Sequence, residues 1–165
     1  MRVLVAYGPA HGATADVAGL LAFVLRVEGF DAHARPAAEI GELGEADAVV
    51  VGGLVCTGRW NADARRFVRR HRTALTTRPV WLFSCGSSRE CGPGTSLATQ
   101  VQVLMRRIHA RGHVGLDDRL PAIASRLGPA ELTHHDHQDW LDPQQLARFA
   151  RGIADELRRE QPQPL

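Results

Sequence analysis

The sequence predicts an α/β fold in which helices cover both faces of a parallel β-sheet. Short apolar runs rich in β-branched residues alternate with segments whose apolar residues recur at helical spacing. The apolar runs are continuous rather than alternating, which is typical of strands buried on both faces. The connections between these segments are short, and this pattern favours a parallel sheet with crossover helices.

The first half of the pattern begins with a strand at Val3–Tyr7, which Gly8-Pro9 ends. A helix is predicted over Thr14–Glu28, where the apolar residues fall on one face and Gly29 supplies the stop. A short, weak strand at Asp31–Arg35 follows.

The middle of the chain begins with the acidic connection Glu39–Asp47, which leads into the strongly apolar run Ala48–Gly52. We predict a buried strand there. Asn61 is placed to cap a helix over Ala62–Arg72. Pro79 then precedes a third apolar run at Val80–Phe83, which we also predict to be a buried strand.

The last part of the chain is predicted to contain a helix over Leu97–Arg111 and a strand near His113–Leu116. Asp142-Pro143 has the pattern of an N-cap followed by the first helical position, and the final helix should extend to about Arg159. We therefore expect one domain over residues 1–160 and a frayed tail at Gln161–Leu165.

Composition excludes several classes of function. The chain has 165 residues and a formal net charge of +2, which is too small to indicate a nucleic-acid-binding protein. All 20 basic residues are Arg, which excludes Schiff-base chemistry and the lysine of a P-loop. The first apolar run ends after a few residues at Gly8-Pro9, and no apolar stretch is long enough to span a bilayer. We therefore expect a cytoplasmic protein without a membrane span.

Three loops should lie where such sheets bind ligands, beyond the carboxyl ends of the strands. They are Gly8–Thr14, Gly53–Trp60 and Ser84–Ser96. The first leads directly into a helix, whose N-terminal amides, together with Gly12 and the Thr14 hydroxyl, suit a phosphate. The alternative is a glycine-rich turn in which Thr14 caps the helix.

The chain also resembles a known family in three collinear segments. These are Val3–Thr14, the stretch from Val49-Val50-Val51-Gly52 through Gly58-Arg59-Trp60 to Phe67-Val68-Arg69-Arg70-His71, and Asp139-Trp140 with Phe149-Ala150-Arg151-Gly152-Ile153-Ala154. In order and separation they resemble the flavodoxin-like family that contains the menaquinone-dependent protoporphyrinogen oxidases. The resemblance spans almost the whole chain.

This resemblance implies a three-layer flavodoxin-like fold with a five-stranded parallel sheet of order 2-1-3-4-5, binding FMN and transferring electrons. The partner would be a small-molecule or quinone-like electron acceptor or a redox partner protein, and a homodimer is one form we consider. The residues implied for the FMN phosphate are Gly8, His11, Gly12, Ala13 and Thr14. Those implied around the flavin ring are Val55, Gly58, Trp60, Ser84 and Gly86.

The phosphate loop departs from the family's hydroxyl-rich pattern. The two hydroxyl positions are Gly8 and Pro9, and Pro9 also lacks an amide donor. Each lost contact to a charged oxygen costs roughly 1.5–3 kcal/mol. We therefore expect FMN binding to be weak or lost. A flavin-free, repurposed fold that acts as a binding or interaction protein is the alternative.

Cysteines suggest a third hypothesis. Cys56, Cys85 and Cys91 should gather with His11 on the ligand-binding edge, where they could form a thiol or metal site. The simpler interpretation is that Cys56 and Cys85 are small buried residues. No residue is identified as a catalytic acid or base, although His11 and Cys85 are the titratable candidates nearest the predicted pocket. The cluster His134-His135-Asp136-His137 is interpreted as a solvated loop.

One predicted helix is strongly basic. Arg65, Arg69 and Arg72 share a face, whereas Phe67 and Val68 should face the sheet. The basic face suits an acidic redox partner or an anionic head group, and the alternative is a solvated surface.

Overall fold

The computed structural model describes residues 1–9, 11–56, 59–86, 97–117 and 143–161. The strands are β1 (Arg2–Gly8), β2 (Asp31–Pro36), β3 (Ala48–Cys56), β4 (Arg59–Trp60), β5 (Val80–Gly86) and β6 (Gly112–Asp117). The helices are α1 (Ala13–Val27), α2 (Ala62–Arg70), α3 (Arg72–Thr76), α4 (Leu97–Ile108) and α5 (Pro143–Glu160), and a 3₁₀ turn covers Ala37–Glu39.

Five of the strands form a parallel sheet in the order β2-β1-β3-β5-β6. Counting only these five along the chain, the order is 2-1-3-4-5, so the predicted topology is confirmed. The two-residue strand β4 pairs antiparallel with the end of β3, joining Val55 to Trp60. This turn adds a sixth strand outside the parallel order.

The sheet separates two apolar layers. On one face α1 and α5 cover residues such as Val50, Trp81 and Phe83. On the other face α2, α3 and α4 cover residues such as Val51 and Leu82. Helices α1 and α5 are also joined by Arg158, which donates to the carboxylate of Glu28 at 2.6 Å and to its backbone carbonyl at 2.8 Å. The core therefore lies in two layers on either side of one sheet.

Four predicted boundaries are corrected by the structure. The helix expected over Leu97–Arg111 ends at Ile108, because His109 has a positive φ of 53°. The runs that were expected to end at Gly52 and Phe83 continue as strands to Cys56 and Gly86. The first residues of the second and third predicted loops are therefore strand residues, held by the pairing of β3 with β5. The single helix expected over Ala62–Arg72 is interrupted at His71, which ends α2 and precedes α3.

Other features match the sequence prediction. The Asn61 side chain caps α2 by accepting hydrogen bonds from the amides of Asp63 and Ala64. Phe67 and Val68 are buried against the sheet. None of the helices in the described ranges is long and apolar enough to cross a membrane. One domain over residues 1–160 stays a prediction, and of the predicted tail only Gln161 is described.

Candidate functional site

The carboxyl ends of β1, β3 and β5 meet at one edge of the sheet. The strand register pairs Gly8 with Gly53 and Leu54 with Cys85, which brings the three strand ends side by side. From β1 the chain crosses first to β2 on one side and then to β3 on the other, so the strand order reverses beside β1. In open parallel sheets a crevice for ligands opens at such a reversal.

Helix α1 begins at this edge with Gly12 as its N-cap residue. Gly12 is exposed, and its carbonyl accepts from the amides of Ala15 at 3.0 Å and Asp16 at 3.3 Å. Its φ of 86° lies in the left-handed region that favours glycine, and a Cβ atom there would meet no atom of the described residues within 4 Å. The amides of Ala13 and Thr14 have no acceptor within the helix, so this first turn is suited to an anion.

Thr14, which was predicted to bind phosphate, is turned into the core. Its side chain is hydrogen-bonded to the thiol of Cys85, and the residue is 1% exposed. Because Gly12 is the N-cap, the alternative in which Thr14 caps the helix is wrong. Of the polar groups of Thr14, the backbone amide is the one left to donate to a ligand at the first turn of α1.

The other residues of this loop differ in exposure. His11 is exposed beside Gly12, and Ala13 is the first residue of α1. Gly8 packs so closely on the cap of α2 that a Cβ atom would lie 2.6 Å from Asn61 Oδ1. Gly8 therefore has a packing role that the sequence did not indicate.

Trp60 and Ser84 are joined across the sheet edge. The indole Nε1–H of Trp60 donates to Ser84 Oγ at 2.7 Å, and Ser84 Oγ lies 2.9 Å from Nε2 of His113. Because the indole can only donate, the Ser84 oxygen accepts from it, and the same oxygen is also within hydrogen-bond distance of His113. His113 was not predicted as a site residue, although it begins the last predicted strand, the neighbour of the strand that leads to Ser84.

Trp60 is 6% exposed, and its ring packs over Gly53, where a Cβ atom would lie 3.0 Å from Trp60 Cδ2. Trp60 is therefore buried beneath the sheet edge rather than exposed on it. Its place beside the flavin ring stays a prediction, and contact with the ring would require the indole to turn outward.

The remaining residues predicted around the ring lie where β3 and β5 end. Val55 is buried, and Gly86 approaches it so closely that a Cβ atom would lie 2.7 Å from the Val55 carbonyl oxygen. The φ of Gly86 is 141°, which also favours glycine. The structure therefore brings Val55, Trp60, Ser84 and Gly86 together, whereas Gly58 lies outside the described residues.

Cys85 has the properties of a core residue rather than of a reactive thiol. Burial raises the pKa of its thiol from 9.0 to about 12, and the hydrogen bond from Thr14 lowers the pKa by a smaller amount. A thiolate at neutral pH is therefore strongly disfavoured. Cys91 and the cluster His134-His135-Asp136-His137 lie outside the described residues, and within the described ranges no group of acidic, His and Cys side chains could hold a metal ion.

Comparisons with known proteins agree with this fold. The family model for the flavodoxin domain matches residues 4–107. No curated protein matches the chain.

Several solved structures share the fold. A cysteine-to-serine mutant of a flavodoxin from Pseudomonas aeruginosa is 22% identical, with a TM-score of 0.61 over 93% of this chain and 99% of that one. Oxidised flavodoxin 1 from Bacillus cereus is 15% identical, with a TM-score of 0.63 over 94% and 98% of the two chains. The rubredoxin oxygen:oxidoreductase from Desulfovibrio gigas is 17% identical, with a TM-score of 0.67 over 96% of this chain and 36% of the larger one. Since the family model covers well over half of the sequence, the chain belongs to the flavodoxin-domain family.

Proposed function

We propose that this protein is an FMN-dependent oxidoreductase or electron-transfer protein that holds the FMN phosphate at the first turn of α1. The observation that carries this proposal is Gly12. It opens α1 with a positive φ, lies at the sheet edge where the strand order reverses, and has no atom of the described residues within 4 Å of where a Cβ would lie. Phosphate at such a turn is stabilised by backbone amides and by the helix dipole, so it needs neither lysine nor a hydroxyl.

The flavin ring would lie beyond the ends of β3 and β5. The residues proposed to border it are Val55, Gly58, Trp60, Ser84 and Gly86. When bound, FMN supplies one- and two-electron transfer chemistry, and the protein supplies binding and orientation. Gly86 lies too close to Val55 for a side chain at position 86, and the hydrogen bond that Trp60 donates to Ser84, which also lies 2.9 Å from His113 Nε2, holds the indole in place.

The electron acceptor that we propose is a small quinone-like molecule or a redox partner protein in the cytoplasm, with a homodimer as one form of the protein. The support is the resemblance to menaquinone-dependent protoporphyrinogen oxidases, because nothing in the geometry selects one acceptor. We expect the affinity for FMN to be low, since Gly8 and Pro9 offer no hydroxyl and the Thr14 hydroxyl is bonded to Cys85.

The experiment is a titration of the purified protein into FMN, followed by quenching of flavin fluorescence. Gly12→Ala should weaken binding about tenfold or more, because a side chain at this φ is strained by about 1–3 kcal/mol. Gly19→Ala is the matched control, since Gly19 lies in the middle of α1 with open space around it. Absence of both quenching and thermal stabilisation at millimolar FMN would exclude the proposal.

One pair of observations favours the flavin-free alternative. The Thr14 hydroxyl and the Trp60 indole, which would otherwise serve a flavin, both point inward and already have hydrogen-bond partners. A colourless protein that ignores FMN would therefore be a repurposed flavodoxin fold that binds another molecule. The thiol or metal hypothesis is disfavoured for Cys85, whose pKa of about 12 opposes the thiolate that either chemistry requires.

A further inference from the structure

A cavity of about 390 Å³ lies between α2–α3 and α4, on the face of the sheet opposite α1 and α5. It is separate from the first turn of α1, and among the described residues predicted around the flavin only Trp60 lies in its wall. The cavity combines two features that a simple solvated surface does not need. It has a cationic rim and an apolar floor.

The rim is formed by exposed guanidinium groups from two sides. They belong to Arg65, Arg69 and Arg72 on one side and to Arg107 on the other. Across the described ranges none of these four side chains forms an ion pair or hydrogen bond, whereas the Arg66 side chain on α2 pairs with Asp63 at 3.5 Å. The described lining contains no carboxylate. Four like charges around one cavity favour an anion, and guanidinium groups match carboxylate, sulfonate and phosphate oxygens in a planar fork.

The floor is made of apolar side chains packed on the sheet. Those that are buried are Trp60, Val68, Val101 and Ile108, and Leu104 is half-buried. Val103, at the side, is 45% exposed. An inorganic anion would leave this floor in contact with water, so the site suits a ligand that covers apolar surface as well as neutralising charge.

We propose that this cavity is a second binding site, for a small amphipathic anion. The apolar body of the ligand rests on Leu104 and Val68, and its carboxylate, sulfonate or phosphate lies between Arg69 and Arg107. The two arginines come from different helices that line the cavity, so an anionic group bound by both would join α2 to α4. This site does not depend on FMN binding.

The test uses 1-anilinonaphthalene-8-sulfonate (ANS) and its neutral analogue N-phenyl-1-naphthylamine, which lacks the sulfonate. Both are titrated into the full chain and into the variant Gly12→Ala, so that binding at the phosphate loop is distinguished from binding in the cavity. We expect one ANS per chain, bound at least about tenfold more tightly than the neutral analogue. Arg69→Gln and Arg107→Gln should each weaken ANS binding roughly five- to tenfold and leave the neutral probe unchanged.

Two variants complete the design. Arg106→Gln removes an exposed charge from the neighbouring position of α4, outside the cavity lining. It should change the ANS affinity by no more than about twofold, because salt and water screen the interaction of this charge with the bound sulfonate. Leu104→Asn should weaken both probes, since it makes the floor polar. Thermal unfolding of each variant shows whether it is folded.

Several results would overturn the proposal. The first is equal affinity for the charged and neutral probes, and the second is an equal loss in Arg106→Gln and Arg107→Gln. The third is binding of poly-L-glutamate that depends on Arg69 and Arg107 while ANS binding does not, which would assign the cavity to an acidic protein segment. If the ANS affinity rises as the protein is diluted, a second copy of the chain covers the cavity at high protein concentration. That result would assign the cavity to contacts between copies of the chain.

Discussion

At the scale of single residues, burial decides which reactive side chains of the candidate site are able to act. Cys85 and Thr14 satisfy each other inside the core, and Ser84 lies between Trp60 and His113. With a pKa of about 12, roughly one Cys85 thiol in 10⁵ is ionised at pH 7. The chemistry left at the edge therefore belongs to backbone amides and to exposed groups such as His11.

The raised pKa of Cys85 predicts a loss of stability in alkali. The pKa of the Cys85 thiol is about 12 in the folded protein, above its ordinary value of 9.0. As the pH rises, the thiol therefore ionises first in the unfolded chain, which lowers the free energy of unfolding. The contribution of the buried, protonated thiol to the free energy of unfolding is fully present below pH 9 and is lost as the pH rises towards 12. We expect the loss to reach about 1 kcal/mol by pH 10.

Urea unfolding of the protein and of Cys85→Ala, at several values between pH 7 and pH 10.5, measures this loss. The variant should lose less stability over that range, because it lacks the Cys85 thiol. Cys56, Cys91 and Tyr7 remain in both proteins, so their ionisation cancels in the comparison. Parallel pH profiles for the two proteins would show that the thiol ionises as readily in the folded state as in the unfolded one.

Ser84 is expected to stabilise the protein through its hydrogen bond with Trp60. Ser84→Ala leaves the buried indole N–H without its acceptor, which should cost about 1–3 kcal/mol in the free energy of unfolding. Trp60→Phe keeps an aromatic ring but removes the donor. In a double-mutant cycle the two losses should be less than additive, whereas additive losses would mean that the bond contributes nothing.

At the scale of secondary structure, apolar runs predicted where strands begin but not where they end. The run Val49–Val51 identifies β3, yet the strand continues through Gly52 and Gly53, residues that are usually depleted in strands. The structure explains their presence, since the Phe83 ring lies over Gly52 and the Trp60 ring over Gly53. Contacts of this kind join distant parts of the chain and leave no local signal.

The interruption between α2 and α3 was not predictable for a similar reason. His71 is not a helix breaker, but its Nε2 lies 3.4 Å from the carbonyl oxygen of Ile40, and its ring is tilted against Phe67. The partner of His71 is 31 residues away, so helical periodicity alone could not indicate the break.

The N-cap of α2, in contrast, was predicted from Asn61 alone, and substitutions of this residue test its contribution to the stability of the helix. Asn61→Ala removes the acceptor for the amides of Asp63 and Ala64 and should destabilise the protein by about 1 kcal/mol. Asn61→Asp retains an acceptor and adds a favourable charge at the helix N-terminus, so its stability should stay close to that of the parent. Equal losses in the two variants, measured by urea unfolding, would contradict the capping role.

At the scale of the whole molecule, the sequence predicted the sheet and the glycine turn at the carboxyl end of its first strand. The topology and the Gly12 turn follow from local patterns, because a strand, a glycine and a helix are adjacent in the chain. The contact of Trp60 with Ser84 and His113 depends on the register that pairs Ser84 with Gly115, which only the assembled sheet defines. The Arg-rimmed cavity likewise required α4 to be placed against α2 and α3.

The centre of the sheet gives a prediction for the stability of the molecule as a whole. A Cβ atom at Gly52 would overlap the Cζ, Cε1 and Cε2 atoms of Phe83, which is fully buried on the adjacent strand. Gly52→Ala should therefore destabilise the protein by about 1–3 kcal/mol through overpacking. Gly19→Ala, at an open position in α1, should instead stabilise it by up to about 1 kcal/mol.

The double variant Gly52→Ala with Phe83→Leu tests the cause of that loss. Leucine lacks the three ring atoms that the new methyl group would meet, so the second substitution should restore part of the stability lost in the first. Urea unfolding of the parent, the two single variants and the double variant completes the cycle. If the two losses simply add, the Phe83 ring is not what requires glycine at position 52, and the reason must lie in the backbone of β3 itself.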